Sequence, residues 1–460
     1  MADPILDIAE TVVKVEFGDL PSAVVEATKK DILDTLATTL AGSAVPGGKE
    51  VAEVMADWGG KEESSVLVFG GRLPAPSAAL ANGTMAHALD FDDTYDAIPL
   101  HAGAATISAS LAVAEAVGPV SGERFIAAVT MGVDVMCRLG LATVMGLRGW
   151  HLTGVYGYFG AAAAAGKLLG LDREAMVDAL GLAYAQAAGN NQGLHDGALT
   201  KRLNPGFGAR GGITAAYMAR RGITGGTNIL AGKTGLFEVY HRGEYDPEPL
   251  RAELGTRFEV ANLSYKPWPC GRALHGFIDA TLQLVHEFDI RPDEVLGITI
   301  YVESDDWHFA FPLETKRRPR NHVDTQFSVP WVVATAIARR KVVIDDFTEQ
   351  AIGDPIVLGL AEKVTPQVSD DMKRPMRDAK SGAVSIRTKR GEWYRRVDLP
   401  RGHPSNPLAI DDICEKFRDC AAHAARPLER ANVEAALDLV RRLEEQDDIR
   451  SVIALLVPHS

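Results

Sequence analysis

Cysteine is scarce and scattered. Four of the 460 residues are cysteine (Cys137, Cys270, Cys414 and Cys420), and no C-x-x-C pair occurs. That spacing offers no disulfide framework, zinc knuckle or iron–sulfur ligand set. Positive charge is also short: 48 Lys and Arg against 61 Asp and Glu leave a formal charge of −13. A nucleic-acid partner wants the opposite sign, and an anionic substrate would need cations gathered locally. No run of eighteen uninterrupted apolar residues is present, which argues against a membrane span. The acid-bearing start MADPILDIAETVVKVEF does not read as a signal peptide, so the expected compartment is the cytoplasm. Internal repeats, low-complexity tracts and a convincing Gly-rich dinucleotide loop are missing as well.

What is present is mostly helical. Pro21 opens a segment whose Val25, Ile32, Leu33, Leu36 and Leu40 follow helical spacing, closed by Gly42. Further helices are expected at 49–58, 76–89, 104–117, 122–144, 153–169, 172–188 and 206–220, with a short strand at Ser65–Phe69. Several helices carry alanine on every face, Ala161 to Ala165 above all, which implies burial in a bundle or at a subunit interface. After about residue 265 the pattern changes. Leu296, Ile298, Ile300 and Val302 alternate with other residues at period two, and Ala383–Thr388 with Tyr394–Leu399 reads as a hairpin. Helices at 271–287 and 325–340 lie between, and amphipathic helices return at Ile410–Ala425 and Val433–Leu443. The expected fold is mainly α: a discontinuous all-α domain (1–265 and 405–460) with a smaller α+β lid domain inserted at 266–404.

The densest chemistry lies in ANGTMAHALDFDDTYDAIPLHAGAATISAS, which begins at Ala81. A small-residue helix runs into Asp90, Asp92, Asp93 and Asp96, and His101 follows. Crowded carboxylates repel one another and are costly to bury, so their presence points to a polar site. A continuing helical turn would set Asp90 and Thr94 on one side. The alternative reading makes Asp92 or Asp93 only a cap of the next helix. Asp92-Asp93-Thr94-Tyr95-Asp96 also spells D-D-x-x-D, a magnesium–diphosphate pattern of all-α prenyl synthases. The later pairs Asp305-Asp306, Asp370-Asp371 and Asp411-Asp412 do not supply the second acidic face such an enzyme needs.

Other segments add histidines and cations. His151 stands just ahead of the alanine-rich helix, where a helix N-terminus favours an anion. Lys201 and Arg202 are adjacent in a Gly- and Ala-rich context ahead of the helix expected at 206. The segment Tyr265-Lys266-Pro267-Trp268-Pro269-Cys270-Gly271-Arg272-Ala273-Leu274-His275 falls where the mixed part of the chain begins, a kind of position where small-molecule sites are common. Lys316-Arg317-Arg318-Pro319-Arg320 is the most basic run and reads first as a solvated surface.

HALDFDDT with the later His101 resembles the signature of the MmgE/PrpD family, whose members include 2-methylcitrate dehydratases, cis-aconitate decarboxylases and iminodisuccinate epimerases. Five segments match in order: Ala81–Ser108, Trp150–Asp172, Thr200–Gly212, Tyr265–Ala280 and Gln326–Val343. The resemblance implies catalytic roles for Asp90, Thr94, His101, His151, Lys201 and His275. It implies substrate-binding roles for Arg202, Lys266 and Arg272. It also implies no metal, no organic cofactor and a homodimer. Asn204 stands where many relatives carry histidine. Histidines and cations with one aspartate suit a polycarboxylate, because fixed cations stabilise charge that builds beside a carboxylate. The expected activity is a cofactor-independent polycarboxylate lyase, foremost a hydro-lyase, with an epimerase, isomerase or decarboxylase as alternative. A magnesium-dependent prenyl-diphosphate enzyme and a non-catalytic helical scaffold are the remote alternatives.

Overall fold

A computed structural model describes residues 2–144, 149–303, 308–373 and 376–458; the pair Asp305-Asp306 lies outside them. The chain forms two compact units. The larger comprises Met1–His195, Leu199–Leu263 and Ala409–Ser460, and the smaller comprises Asp196–Ala198 and Ser264–Leu408. The protein is mainly α, with small sheets.

The larger unit is a helical bundle built around Leu152–Leu169, every residue of which is buried. It packs on the helices Thr200–Arg220, Gly122–Ala142 and Gly103–Val117. Burial inside the bundle therefore accounts for its all-round alanine. Glycine sets the spacing: a methyl group at Gly208 would stand 3.0 Å from the Gly157 carbonyl carbon, so two backbones meet there with no side chain between them. Helix Gly122–Ala142 is long and apolar enough to cross a membrane by length and composition, yet 94% of its most apolar window is buried in the bundle. Its buried Arg138 pairs with Asp134 at 2.6 Å and donates to the carbonyls of Pro249, Ala252 and Arg257, fixing the chain that follows.

Several boundaries in this unit differ from the sequence reading, among them 172–188, which is Arg173–Tyr184, and Val433–Leu443, which is Arg430–Arg441; two others bear on the site and the topology. The early strand is Ser64–Ser65, paired with Arg72–Leu73, and not Ser65–Phe69. The helix expected from 206 begins at Thr200 and contains Pro205. Proline removes one helical hydrogen bond but is tolerated near a helix start. Lys201 consequently sits on a helix, not in a loop ahead of one.

Near the C-terminus Ile410–Ala422 packs on Ser22–Gly42. There Lys416 Nζ lies 2.6 Å from Asp34 Oδ1 and donates to the Phe91 carbonyl at 2.6 Å.

The smaller unit is a four-stranded sheet covered by helices. Its strand order is Val364–Val368, Val295–Val302, Gly382–Thr388, Gly391–Val397; the first pair is parallel and the others antiparallel. Pro366 is confined to the edge strand, where a missing N–H is harmless. A bulge between Val295 and Gly297 shifts the expected alternation, so Val295 is buried while Leu296 is 47% exposed. Ile298, Ile300, Val384 and Ile386 form a core with Leu284 and Trp331 from the helices His275–Glu287 and Val329–Arg339. A methyl group at Gly276 would lie 2.5 Å from the Gly382 nitrogen, which brings the first of those helices hard against the sheet.

Candidate active site

Helix Ala75–His87 ends on a buried histidine, and the chain then turns sharply. Asp90 takes φ 50°, in the left-handed region that aspartate tolerates better than most residues. The helical turn expected to align Asp90 with Thr94 therefore does not form, although both residues are buried. The turn aims the Asp90 carboxylate at helix Thr200–Arg220, where Lys201 Nζ donates to Asp90 Oδ2 at 2.8 Å. Lys201 also donates to His87 Nε2 at 2.8 Å. The other ring nitrogen, His87 Nδ1, meets the Asp92 carboxylate at 2.8 and 3.0 Å.

His101 completes the group. Its Nδ1 donates to the Asp93 carbonyl at 2.7 Å, which sets the tautomer and turns Nε2 toward Asp90, 3.9 Å from Oδ1. Its backbone N–H is held by Thr153 Oγ1 at 3.0 Å. The rings of His87 and His101 meet edge-on with centroids 4.5 Å apart, and the His151 ring lies 5.8 Å from His87. His151 stands at the N-cap position of helix Leu152–Leu169, where its side chain makes no capping bond; its Nδ1 accepts from Asn204 at 2.9 Å. Burial, then the neighbouring Lys201 and His87, push the His151 pKa well below the usual imidazole value, so it stays neutral.

Behind this layer lies a buried acid cluster. The Asp93 carboxylate accepts the N–H groups of Ala102 and Gly103 at 2.9 and 3.0 Å, capping helix Gly103–Val117. Capping was one expectation for Asp92 or Asp93; Asp93 meets it, whereas Asp92 holds His87. Burial and the adjacent Asp92 push the Asp93 carboxyl up to about 8. Burial, with Asp93, Asp34 and Asp92 nearby, also drives Asp31 well above the ordinary carboxylate range.

Among the sequence candidates in the larger unit, the fold thus brings together Asp90, His101, His151 and Lys201. Arg202 lies close enough to Asp90 to feel its charge, but its guanidinium is anchored on another segment. Its guanidinium donates to the Pro46 carbonyl, and burial lowers its pKa to about 10. His275, Arg272 and Lys266 belong to the smaller unit, where all three are buried. Arg272 donates to His275 Nδ1 at 3.2 Å and to the Arg401 carbonyl at 3.0 Å. Because Arg272 can only donate, the His275 proton sits on Nε2, which faces the Cys270 carbonyl at 3.3 Å. Cys270 is a buried free thiol. The basic run is taken up by its own unit: Lys316 donates to the Phe327 carbonyl at 2.7 Å, Arg318 pairs with Glu362 and Arg320 with Asp324.

Sequence reading passed over His87, Asp92 and Asn204 as members of this group. His87 was visible in the same string as Asp90, but Asp92 lies five positions after it, which is not a helical pairing distance. His87, Asp92 and His101 also bring one nitrogen or oxygen each within 4.8 Å of one another, a set that no sequence spacing announced and that could hold a metal ion. In each histidine Nδ1 is engaged in a hydrogen bond: His87 Nδ1 with Asp92, and His101 Nδ1 with the Asp93 carbonyl.

Residues 6–248 match the MmgE/PrpD N-terminal domain, and residues 268–443 match the MmgE/PrpD C-terminal domain. The chain belongs to the MmgE/PrpD family. Its relatives include a cis-aconitate decarboxylase-like protein of Aspergillus oryzae, 28% identical over 98% of this chain and 96% of the relative. A cis-aconitate decarboxylase of Aspergillus terreus is 28% identical over 95% of this chain and 92% of its own length. The human cis-aconitate decarboxylase is 28% identical over 95% and 91%. Within this MmgE/PrpD chain the signature HALDFDDT supplies both ends of the hydrogen-bond chain: His87 and Asp92 at one end, and Asp90, bound to Lys201, at the other.

Proposed function

We propose that the protein is a lyase acting on a small tricarboxylate of the aconitate type, and that the reaction passes through negative charge built beside a carboxylate. The observation that carries this reading is Lys201, whose ammonium is held at 2.8 Å by both Asp90 and His87 and lies in one group with His101. A fixed cation in buried surroundings stabilises an enolate-like charge without reorganising. His101, its Nδ1 fixed and its Nε2 turned toward Asp90, is the proton carrier. The neutral His151 is a second proton carrier or a hydrogen-bond partner for a carboxylate.

Full-length relatives named cis-aconitate decarboxylase favour carbon–carbon cleavage as the reaction. In that reading the bond to one carboxylate breaks and CO2 leaves. The electron pair spreads over the adjacent double bond and carboxylate, and His101 delivers a proton to carbon. The second reading is elimination of water, the hydro-lyase chemistry expected from the sequence. It uses the same cation and the same acid–base pair, with a hydroxyl group as leaving group. His275 and Arg272, hydrogen-bonded to each other in the smaller unit, are proposed carboxylate-binding groups; Lys266 and Thr94 are proposed contributors.

The experiment is a screen of cis-aconitate, citrate, 2-methylcitrate and simple dicarboxylates for thermal stabilisation, followed by turnover of whatever binds. A bound ligand raises folded-state stability by mass action. Tricarboxylates should stabilise the protein and dicarboxylates less; no stabilisation by any of them contradicts the reading.

The protein is further proposed to act as a homodimer through the helical unit. Trp58, Phe207 and Met218 are exposed at 63%, 42% and 41%, and Arg210 lies over the Trp58 ring, linking two helices into one apolar face. Light scattering at micromolar concentration should give a dimer, and W58E should shift it toward monomer.

A further inference from the structure

We propose that His87, seated on Asp92, is a positioning residue that keeps a lone pair aimed at Lys201 and so fixes the lysine as an oriented ammonium. The inference deepens the function proposed above, and its activity arm rests on that reading.

The hydrogen-bond inventory decides the protonation pattern. The side chains of His87 and Asp92 are both fully buried. An ionised carboxylate only accepts, so His87 Nδ1, at 2.8 Å from Asp92, carries the proton. An ammonium only donates, so His87 Nε2, at 2.8 Å from Lys201, carries the lone pair. A second proton on His87 would oppose two donors and two positive charges across that distance in a buried setting, which is strongly unfavourable. Lys201 and His87 therefore hold one positive charge between them, on the lysine. With Asp90 accepting from the same ammonium at 2.8 Å, two N–H directions of Lys201 are set by the protein and not by the substrate. Fixed partners that tune the group meeting the substrate are how such sites gain precision.

A purely structural histidine would need only the Asp92 bond, which ties the end of helix Ala75–His87 to the segment after it. The Lys201 bond is the extra feature, and two substitutions separate the roles. In His87→Asn the amide nitrogen replaces Nδ1 and keeps the Asp92 bond, but no atom of residue 87 reaches Lys201, which keeps Asp90. In His87→Gln the amide oxygen replaces Nε2 and still accepts from Lys201.

The first test is kinetic, with cis-aconitate as probe. H87N should lose on the order of 10- to 100-fold in kcat/KM, the range for one hydrogen bond to a charged group, and H87Q should recover most of it. Parent-like kinetics in H87N, or H87Q worse than H87N, would overturn the proposal. The second test needs no turnover and keeps the proposal testable should either variant fold poorly. Histidine-selective 15N NMR of the parent protein at pH 7 should show one buried histidine in the neutral Nδ1–H form whose Nε2 signal moves in K201M. A charged or Nε2–H ring at His87 overturns the inference even if the protein is an active lyase. Conversely, the predicted tautomer in a protein that turns over no tricarboxylate leaves His87 as assigned and overturns the reaction instead.

Discussion

Lys416→Met should be among the most destabilising single changes in the helical unit. Lys416 Nζ stands 2.6 Å from Asp34 Oδ1, 2.6 Å from the Phe91 carbonyl oxygen and 3.8 Å from the centre of the Phe91 ring. The side chains of both ion-pair partners are buried, at 5% and 0% exposure. Methionine keeps most of the packed volume, so a cavity contributes little. The cost is the Asp34 carboxylate left without its cation in a neighbourhood that already holds Asp31, Asp92 and Asp93. Breaking a buried pair from one side costs about 3–5 kcal/mol. Removing both charges in D34N/K416M should return most of that loss, ending within about 1 kcal/mol of the parent, because no lone charge remains. Urea unfolding of the parent, both single variants and the double variant measures the cycle. A loss below about 1 kcal/mol in K416M, or a double variant no more stable than K416M, would refute the reasoning.

Two further predictions concern pH and metal. Asp93 has its folded pKa raised to about 8, so the folded state holds a proton that the unfolded chain has lost. That contribution is complete at acid pH and disappears as pH rises from the ordinary carboxylate range toward 8. Asp93→Asn, whose amide oxygen keeps one of the two capping bonds, should flatten the fall in melting temperature between pH 5 and pH 8; an unchanged slope contradicts the assignment. Treatment with EDTA followed by desalting should leave turnover unchanged, since His87 Nδ1 is bound to Asp92 and His101 Nδ1 to the Asp93 carbonyl. Loss of activity restored by a divalent ion would instead assign that trio to a metal.

Much of the architecture was legible because helical periodicity is a long-range signal. The start of the Thr200–Arg220 helix was hidden by Pro205, which reads as a boundary although the preceding turn is already helical. Strand Val364–Val368 was missed for a related reason: Pro366 is poor strand material except at an edge, and edge position cannot be read from one segment. The bulge after Val295 exchanged Leu296 for Val295 in the core, a one-residue slip that alternation alone cannot place. In the site, residue types and family signature picked out Asp90, His101, His151 and Lys201. His87 was not singled out, and Asn204 was noted only for standing where relatives carry histidine, because their partners, Lys201 and His151, are distant in sequence and meet them only through helix packing. Asp90 was found for the wrong local reason, since its left-handed backbone, not a helical turn, aims its carboxylate.

Lys201 is proposed to stabilise charge beside a carboxylate in a tricarboxylate lyase. The direct measurement is NMR of cis-aconitate turnover in heavy water by the parent and by Lys201→Ala. The parent should release CO2 and form an unsaturated dicarboxylate carrying deuterium on carbon. K201A, still folded by circular dichroism, should be slower by about 100-fold or more. Parent-like turnover by K201A, or a parent that leaves cis-aconitate and the other tricarboxylates unchanged, would contradict the proposal.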